Sequence, residues 1–518
     1  MLQAVFSRDW RVNPLRHSVF GPGRARVCAV IATPRARDFR KLVLLALKQT
    51  PTVELRLDWL ANDRERHAAL RWLKRFSPRN ALFLATCRRR VGGGEFSGGA
   101  DEELFWLRKA KEAGCKWCDL EIETVKDLQN KLPQGNALSR KVMLSIHDFR
   151  RTPRFENRSK SPHKNFAALK VAAMSRNLSD SGRLLRQIGN ARNIVAIPMG
   201  EIGLPGRILA LREGSALAYA PMEAATAPGQ VSLDEFLKLY RAHELTHKTR
   251  VYGVIGNPIS HSLSPLLHNT GYAAAGKDAV FLPFLIENLR EFLRILPEFS
   301  VRGFSVTIPH KGKIVRHLDE CDALAEQIGA VNTVSVRRDG KLVGSNTDYV
   351  GVLRALERKM QPKGSRVVIF GSGGAARAAA FALAKADAEV LICARREGAA
   401  KQLARAVHGS VLRRFALRRE KFDAFVNATP VGMHPHAGSS PLQTSELNCS
   451  LVLDLIYRPL HTKLLQLAKA RGIRVVSGVE MFLAQGIAQW ELWMGGPAPE
   501  AAMRRAVLSA LHSEDVAR

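Results

Sequence analysis

Two α/β modules in one chain are what the amino-acid sequence predicts: a (β/α)8 barrel, then a two-domain module ending in a doubly wound parallel sheet. Three observations carry the prediction. Eight short strand-like runs, spaced so that a helix fits between each pair, fill the first half of the chain. A second strand and helix alternation starts at Val251 and continues to Asp348. A third unit opens at Arg366 with a strand that runs into a glycine turn and an alanine-rich helix.

At 518 residues the chain is long enough for two to four domains with ample cores. Residues 1–26 carry Arg8, Arg11, Arg16, Arg24 and Arg26 against Asp9 alone, without a continuous apolar stretch. The expectation is an unstructured basic extension, with organelle import as the competing reading. The barrel runs follow at Val27–Ala32, Val53–Leu57, Leu82–Thr86, Trp117–Ile122, Lys141–Ile146, Ala168–Ala172, Ile194–Ile197 and Ala216–Ala220. Ser232, three residues before Glu235, has capping-box spacing and starts a last helix through about Tyr240. The basic stretch Arg241 to Arg250 reads as a linker.

The second alternation contains a hairpin signalled by Asp339-Gly340. A break near Gln361-Pro362 precedes the third unit, where strand Arg366–Phe370 leads into GSGGAAR (371–377). Gly371 suits the tight turn of a Rossmann fold, Gly373 and Gly374 allow close approach of a pyrophosphate, and the helix start supplies amide donors. The next strand, Glu389–Ala394, ends in Arg395-Arg396. Arginines there favour the 2′-phosphate of NADP over the free ribose of NAD, while the adjoining Glu397 is what NAD would use. The predicted segments are 1–26, 27–248 (barrel), 249–360, 361–480 (dinucleotide domain) and 481–518.

Lys170 is the residue with the most chemistry in it. It lies in the sixth run, apolar on both faces, where an ammonium is costly unless paired or neutral. Burial and nearby cations lower a lysine pKa, and a neutral amine attacks a ketone to form an imine. A surface lysine on a helix is the competing reading; the other runs, which fit a barrel period, weigh against it.

No run is long and apolar enough to span a membrane. The seven cysteines lack framework spacing, which suits a reducing cytoplasm, and Cys115 and Cys118 have no second pair to complete a metal site. The net charge of +32 would suit nucleic acid, yet the basic clusters are scattered and without interleaved aromatics. The excess could attract anionic substrates, but charge alone does not tell a sugar acid from an RNA; the expectation is small-molecule substrates, with no specific nucleic acid, no membrane and no metal.

Residues 27 to about 245 resemble type I 3-dehydroquinate dehydratase. The resemblance rests on VELRLD (53–58), TCR (86–88), SIHDF (145–149), the lysine strand, MGEIGLPGR (199–207) and TAPGQ (226–230). Residues 251 to about 510 resemble shikimate dehydrogenase, through GNPISHSLSPLLHN (256–269), SVTIPHK (305–311), GAVNTV (329–334), GSNTD (344–348), GSGGAAR, NATPVGM (427–433) and GVEMFLAQG (478–486). The two families act in succession on 3-dehydroquinate, 3-dehydroshikimate and shikimate.

The first resemblance implies Lys170 as imine-forming lysine and His147 as acid and base, with Glu54, Arg56, Arg88, Arg207, Thr226 and Gln230 holding the substrate. The second implies Lys311 and Asp348 as the catalytic pair and Ser262, Ser264, Thr307, Asn332, Tyr457 and Gln485 as substrate contacts. NADP would meet Gly371, Gly373, Gly374, Ala375, Arg377, Arg395, Arg396, Leu455 and Gly478.

Three positions depart from the families. Gly92 stands where the dehydratases have the acid that orients the histidine, so that either Glu95 or Glu121 reaches the same space or the histidine is held otherwise. A barrel of weak or no activity beside a working dehydrogenase is therefore the competing functional reading. Thr226 replaces a common serine and Ser305 a common asparagine.

Overall fold

The computed structural model describes residues 20–76, 78, 80–128, 141–153, 166–188, 193–222, 229–434 and 436–516. They form two units, one reaching to Thr249 and including Arg290–Phe299, the other made of Arg250–Leu289 and the chain from Ser300 onward.

In the first unit the apolar runs form β1 (Val27–Ile31), β2 (Thr52–Arg56), β3 (Leu82–Thr86), β4 (Trp117–Glu121), β5 (Val142–Asp148), β6 (Ala168–Met174), β7 (Ile194–Met199) and β8 (Ala218–Pro221). They lie in the order β7-β6-β5-β4-β3-β2-β1-β8. Neighbouring strands pair in parallel, for example with Ser145 beside Lys170 and Cys28 beside Tyr219. The amide of Ala216 donates to the Ile194 carbonyl at 2.7 Å, drawing the β8 segment toward β7 and bringing the barrel close to closure. The predicted runs differ from these strands by two residues or fewer at every end.

The start of the barrel is plugged by Phe20, Cys28, Leu84, Trp117, Met143, Ala168, Val195 and Tyr219. Phe20 lies 4.5 Å from the Trp117 ring, centroid to centroid. Arg26 donates to the carbonyls of Leu211 and Ser215 at 2.8 and 2.6 Å. The expected unstructured extension therefore ends by Phe20 in the described chain, because burying one aromatic ring and satisfying two carbonyls holds residues 20–26 in place; residues 1–19 lie outside the described residues. The Ser232 capping box forms, with Glu235 accepting from the Ser232 amide at 2.9 Å. The turn it starts, Glu235–Leu239, is π-helical. The expected linker is partly built into the unit: Ala242 and Leu245 are buried, and Arg250 already belongs to the next strand.

The second unit holds two sheets. The first comprises β9 (Arg250–Gly256), β10 (Ala279–Leu285), β11 (Val301–Val306), β12 (Glu320–Cys321), β13 (Thr333–Val336) and β14 (Leu342–Ser345), ordered β10-β9-β11-β13-β14-β12. The Asp339-Gly340 hairpin joins β13 and β14, with Gly340 at φ +88°. The other comprises β15 (Arg366–Phe370), β16 (Glu389–Cys393), β17 (Ser410–Val411), β18 (Ala424–Asn427), β19 (Leu451–Asp454) and β20 (Arg474–Val476). Its order, β17-β16-β15-β18-β19-β20, is all parallel and reverses direction at β15, the switch point where such sheets bind nucleotides. The chain then returns to the first sheet's side: Val479, Phe482 and Leu483 of helix Gly478–Met494, with Met503, Val507 and Leu511, bury Leu263 and Leu267.

Candidate active sites

In a strand, alternate residues share a face, so each barrel strand presents a pair of side chains inward near its carboxyl end. β2 supplies Glu54 and Arg56, β3 leads to Thr86 and Arg88, β4 supplies Asp119 and Glu121, β5 supplies Ser145 and His147, and β6 supplies Lys170. Their contacts show that they share one interior. Lys170 is 3% exposed and donates from Nζ to Asp119 Oδ2 at 2.5 Å, with Glu54 Oε1 at 3.6 Å and the Tyr219 ring centroid at 4.5 Å. Ser145 also donates to Asp119, and Thr86 to Glu54 at 2.7 Å.

The lysine is thus paired by carboxylates, one of the two states, paired or neutral, that its burial in the strand allows. The partner is Asp119, which lies on the next strand but one and faces the same interior. Arg88 also reaches this carboxylate, its Nη2 lying 3.8 Å from Asp119 Oδ2. Arg88 donates from Nε to Glu121 Oε1 at 2.6 Å, and Arg56 forms a two-pronged pair with Asp58 at 2.9 and 2.6 Å.

His147 Nδ1 lies 2.9 Å from Glu121 Oε2. Burial, then the positive charges of Arg88 and Lys170, hold its pKa well below the usual imidazole value. Of the two acids offered as substitutes at the Gly92 departure, Glu121 reaches the histidine; Glu95 is exposed, and it is its backbone amide that donates, to Asp58. Arg207 is buried, and among the described residues its side chain makes one hydrogen bond, from Nε to the Pro198 carbonyl at 3.3 Å. Burial without a counter-charge pushes its pKa down to about 10. Thr226 lies outside the described residues, while Gln230 is half-buried and follows Gly229, whose φ of +73° and backbone contact with Gly200 hold that loop end against the MGE loop.

In the second unit Lys311 Nζ donates to Asp348 Oδ2 at 2.5 Å. Asn332 donates to Asp348 Oδ1 at 2.7 Å and to Thr347 Oγ1 at 3.0 Å, so its amide is spent on the acid. Ser262 Oγ accepts from the Ser264 amide at 3.3 Å at the start of helix Ser264–Ala274. Thr307 is half-buried beside Gly256, Tyr457 stacks on Phe482 at 4.7 Å, and buried Gln485 donates to the Phe482 carbonyl at 2.9 Å. Sequence reasoning missed Gln489, which joins His268 and Ser305 and donates to Thr333. Its signal was present: Gln485 and Gln489 are four apart in the stretch Met481–Trp490, which is otherwise apolar.

The glycine turn ends β15 and opens helix Gly374–Lys385, whose N-cap Gly373 provides no side-chain cap. Gly371 has φ +130°, and a Cβ there would sit 2.9 Å from the Ala428 carbonyl. A Cβ on Gly373 would meet nothing within 4 Å, so the space above the helix amides is open. Arg377 points elsewhere, donating to the Ile328 and Gln327 carbonyls, and Ala375 is half-buried in the first turn. Gly478 lies where a Cβ would come within 2.6 Å of the Leu455 carbonyl, which places these two predicted residues together. Arg395 and Arg396 are exposed beyond β16, and neither side chain has a partner among the described residues. Glu397 is instead paired with Lys401 at 2.9 Å. Open space, uncapped amides and two uncommitted guanidiniums fit a phosphorylated dinucleotide.

Residues 27–247 match the model of type I 3-dehydroquinase, 254–334 that of the shikimate dehydrogenase substrate-binding domain, and 478–508 that of the shikimate 5'-dehydrogenase C-terminal domain. A bifunctional 3-dehydroquinate dehydratase/shikimate dehydrogenase, chloroplastic, of Arabidopsis thaliana is 33% identical over 86% of this chain and 78% of its own. A shikimate dehydrogenase (NADP(+)) of Bacillus cereus is 42% identical over 51% of this chain and 99% of its own. Shikimate 5-dehydrogenase from Thermus thermophilus, solved with NADP(H) and shikimate, is 35% identical over 50% of this chain and 99% of that one, with a TM-score of 0.47.

Proposed function

The chain belongs to the family of bifunctional 3-dehydroquinate dehydratase/shikimate dehydrogenases, and from that premise we propose how its residues divide the work. It is a lyase and an oxidoreductase in one polypeptide, dehydrating 3-dehydroquinate to 3-dehydroshikimate and reducing that product to shikimate with NADPH. The observation that carries the division is that each unit assembles its own set: Lys170 with Asp119 and His147 with Glu121 in one, Lys311 with Asp348 in the other.

In the barrel, Asp119 takes the proton that Lys170 must lose before its amine attacks the ring ketone. Loss of the ketone oxygen as water leaves an iminium, which acidifies the adjacent carbon. His147, kept neutral by burial, removes that proton and returns it to the departing hydroxyl, which leaves as water. Hydrolysis of the imine frees Lys170. Arg207, whose terminal nitrogens make no bond among the described residues, is the strongest candidate for the substrate carboxylate, alongside Arg56, Arg88, Glu54, Thr226 and Gln230 for the hydroxyls.

In the second unit NADPH supplies hydride when bound. Lys311 gives a proton to the ketone oxygen as negative charge develops there, and Asp348 holds the ammonium in place. Asn332 acts through Asp348. Ser262 and Ser264 face the carboxylate, with Thr307, Tyr457 and Gln485 toward the ring hydroxyls. Gly371, Gly373, Gly374 and Ala375 cradle the pyrophosphate, Arg395 and Arg396 take the 2′-phosphate, Leu455 and Gly478 border the nicotinamide, and Arg377 fastens the cofactor helix to the Gln327–Ile328 carbonyls.

The domain reading accompanies this: barrel 27–248, substrate domain 249–360, dinucleotide domain 361–480 and returning helices 481–518. Seven free cysteines support a reducing compartment, the cytoplasm in this reading; the Arabidopsis relative is named chloroplastic. Among the described residues no helix is long and apolar enough to cross a membrane.

Single-site variants test the division. Lys170→Ala should abolish dehydration and leave reduction of 3-dehydroshikimate at the wild-type rate, while Lys311→Ala should lower reductase turnover by about 10²–10⁴ and spare dehydration. Loss of both activities from either change would contradict two independent sites.

A further inference from the structure

The three consecutive glycines after β3 are not equivalent. Gly93 has φ +78°, and a Cβ on it would strike the Phe149 ring at 2.4 Å. A Cβ on Gly94 would lie 2.1 Å from the Arg88 carbonyl. Both must be glycine. Gly92 lies in the short turn Arg90–Gly92 without a left-handed φ, so its backbone accepts any side chain. What a side chain there would meet is Glu121 and the Arg88 that holds it: a Cβ on Gly92 sits 3.3 Å from Glu121 Cγ, 3.5 Å from its carboxyl carbon and 3.5 Å from Arg88 Cγ. Gly92 is the residue that stands where the dehydratases carry an acid. The vacated volume is thus bordered by the carboxylate that touches His147 at 2.9 Å.

We propose that Glu121 is the positioning residue for His147, reaching it from β4 in place of the acid missing at position 92, and that Gly92 is small because Glu121 occupies this space. The proposal rests on the dehydratase reading of the barrel. Glu121 is 2% exposed and is itself held from the far side by Arg88, which donates to its other oxygen at 2.6 Å. One oxygen is therefore anchored and the other accepts the Nδ1 proton of His147. This fixes the tautomer with Nε2 free to take and return the substrate proton. Lys170, Asp119 and Arg56 are the other charged groups acting on the imidazole. None of them is bonded to the ring among the described residues.

The test uses the full-length chain with Glu121→Ala, the isosteric Glu121→Gln, and Glu121→Ala combined with Gly92→Glu. Glu121→Ala should lower dehydratase kcat by about 10²-fold, the lower end of what a misplaced general base costs. KM should stay within about threefold, because the contact serves proton transfer and not substrate binding. Borohydride with 3-dehydroshikimate should still attach ligand mass to Lys170 in both single variants, since imine formation does not need Glu121. Adding Gly92→Glu should recover about tenfold of the lost turnover, by returning an acid to the opposite side of the same space. In the wild-type background the same Gly92→Glu should lower turnover, two carboxyl side chains being crowded into one volume. Wild-type kcat in both Glu121 variants, loss of the Lys170 adduct in Glu121→Gln, or no recovery with Gly92→Glu would each overturn the proposal. A wild-type chain that neither turns over 3-dehydroquinate nor forms the Lys170 adduct would instead sink the dehydratase reading.

Discussion

Lys170 illustrates both the reach and the limit of reading single residues. Its burial in an apolar strand was legible, because a lysine among alternating aliphatic residues has no exposed face to occupy. Its partner was not, since Asp119 acquires meaning only when β4 and β6 are known to flank β5. A trace of it was available: Asp119 and Glu121 are two apart in a strand buried along its length, so both must point into the barrel. His147 leads to a prediction about pH. In the proposed mechanism the neutral ring is the base, and its pKa in the folded protein lies well below the ordinary value of 6.5 because of burial and the neighbouring cations. Protonation therefore removes the base only below that range. The dehydratase kcat/KM should hold its value as pH falls through 6.5, with the acid limb appearing at lower pH; a midpoint at 6.5 or above would show an ordinary, solvated histidine. Arg395 and Arg396 make the cofactor prediction. Removing both should weaken NADPH binding by about two decades, the loss of charge-assisted hydrogen bonds to the 2′-phosphate, and leave NADH nearly unchanged. The difference should shrink with added salt, since both side chains are exposed. Equal losses for both cofactors would assign the arginines to the fold. Glu397, the residue that made NAD a competitor, is occupied by Lys401.

At the scale of elements, strand positions were read well because each strand is a short apolar run closed by polar or glycine-rich sequence. Arg366–Phe370 and Leu82–Thr86 coincide with the expected runs. Reading was poorest where tertiary packing decides. Phe20–Arg26 is rich in glycine and arginine yet joins the barrel's floor through one ring and one guanidinium, and Ala242 and Leu245 are buried inside a stretch that reads as linker. Within the cofactor turn the sequence motif does not say which glycine serves the fold and which the ligand; the backbone does. Gly371→Ala should cost more than about 1 kcal/mol of stability in the second unit, because it forces a Cβ into a left-handed position against the Ala428 carbonyl. Gly373→Ala should leave the thermal midpoint of that unit nearly unchanged and weaken NADPH, since its Cβ enters only the open space above the helix amides. Calorimetry and cofactor titration on the two variants separate these effects, and matching profiles would contradict the assignment.

At the scale of the whole molecule, two units with distinct cores carry two sets of chemistry, and consecutive reactions follow from the family to which the chain belongs. The double resemblance made this legible in outline, while the division of labour within each site needed the geometry. Gly92 is the case in point: read as a sequence it suggests a failing dehydratase, and read beside Glu121 it does not. The most direct measurement is a coupled assay on the purified chain with 3-dehydroquinate and NADPH as the only reactants. The absorbance of NADPH should fall, shikimate should accumulate in equal amount, and Lys170→Ala should stop the reaction until 3-dehydroshikimate is added. NADPH consumption by the wild-type chain with 3-dehydroshikimate but none with 3-dehydroquinate would contradict the account, leaving a dehydrogenase joined to an inactive barrel.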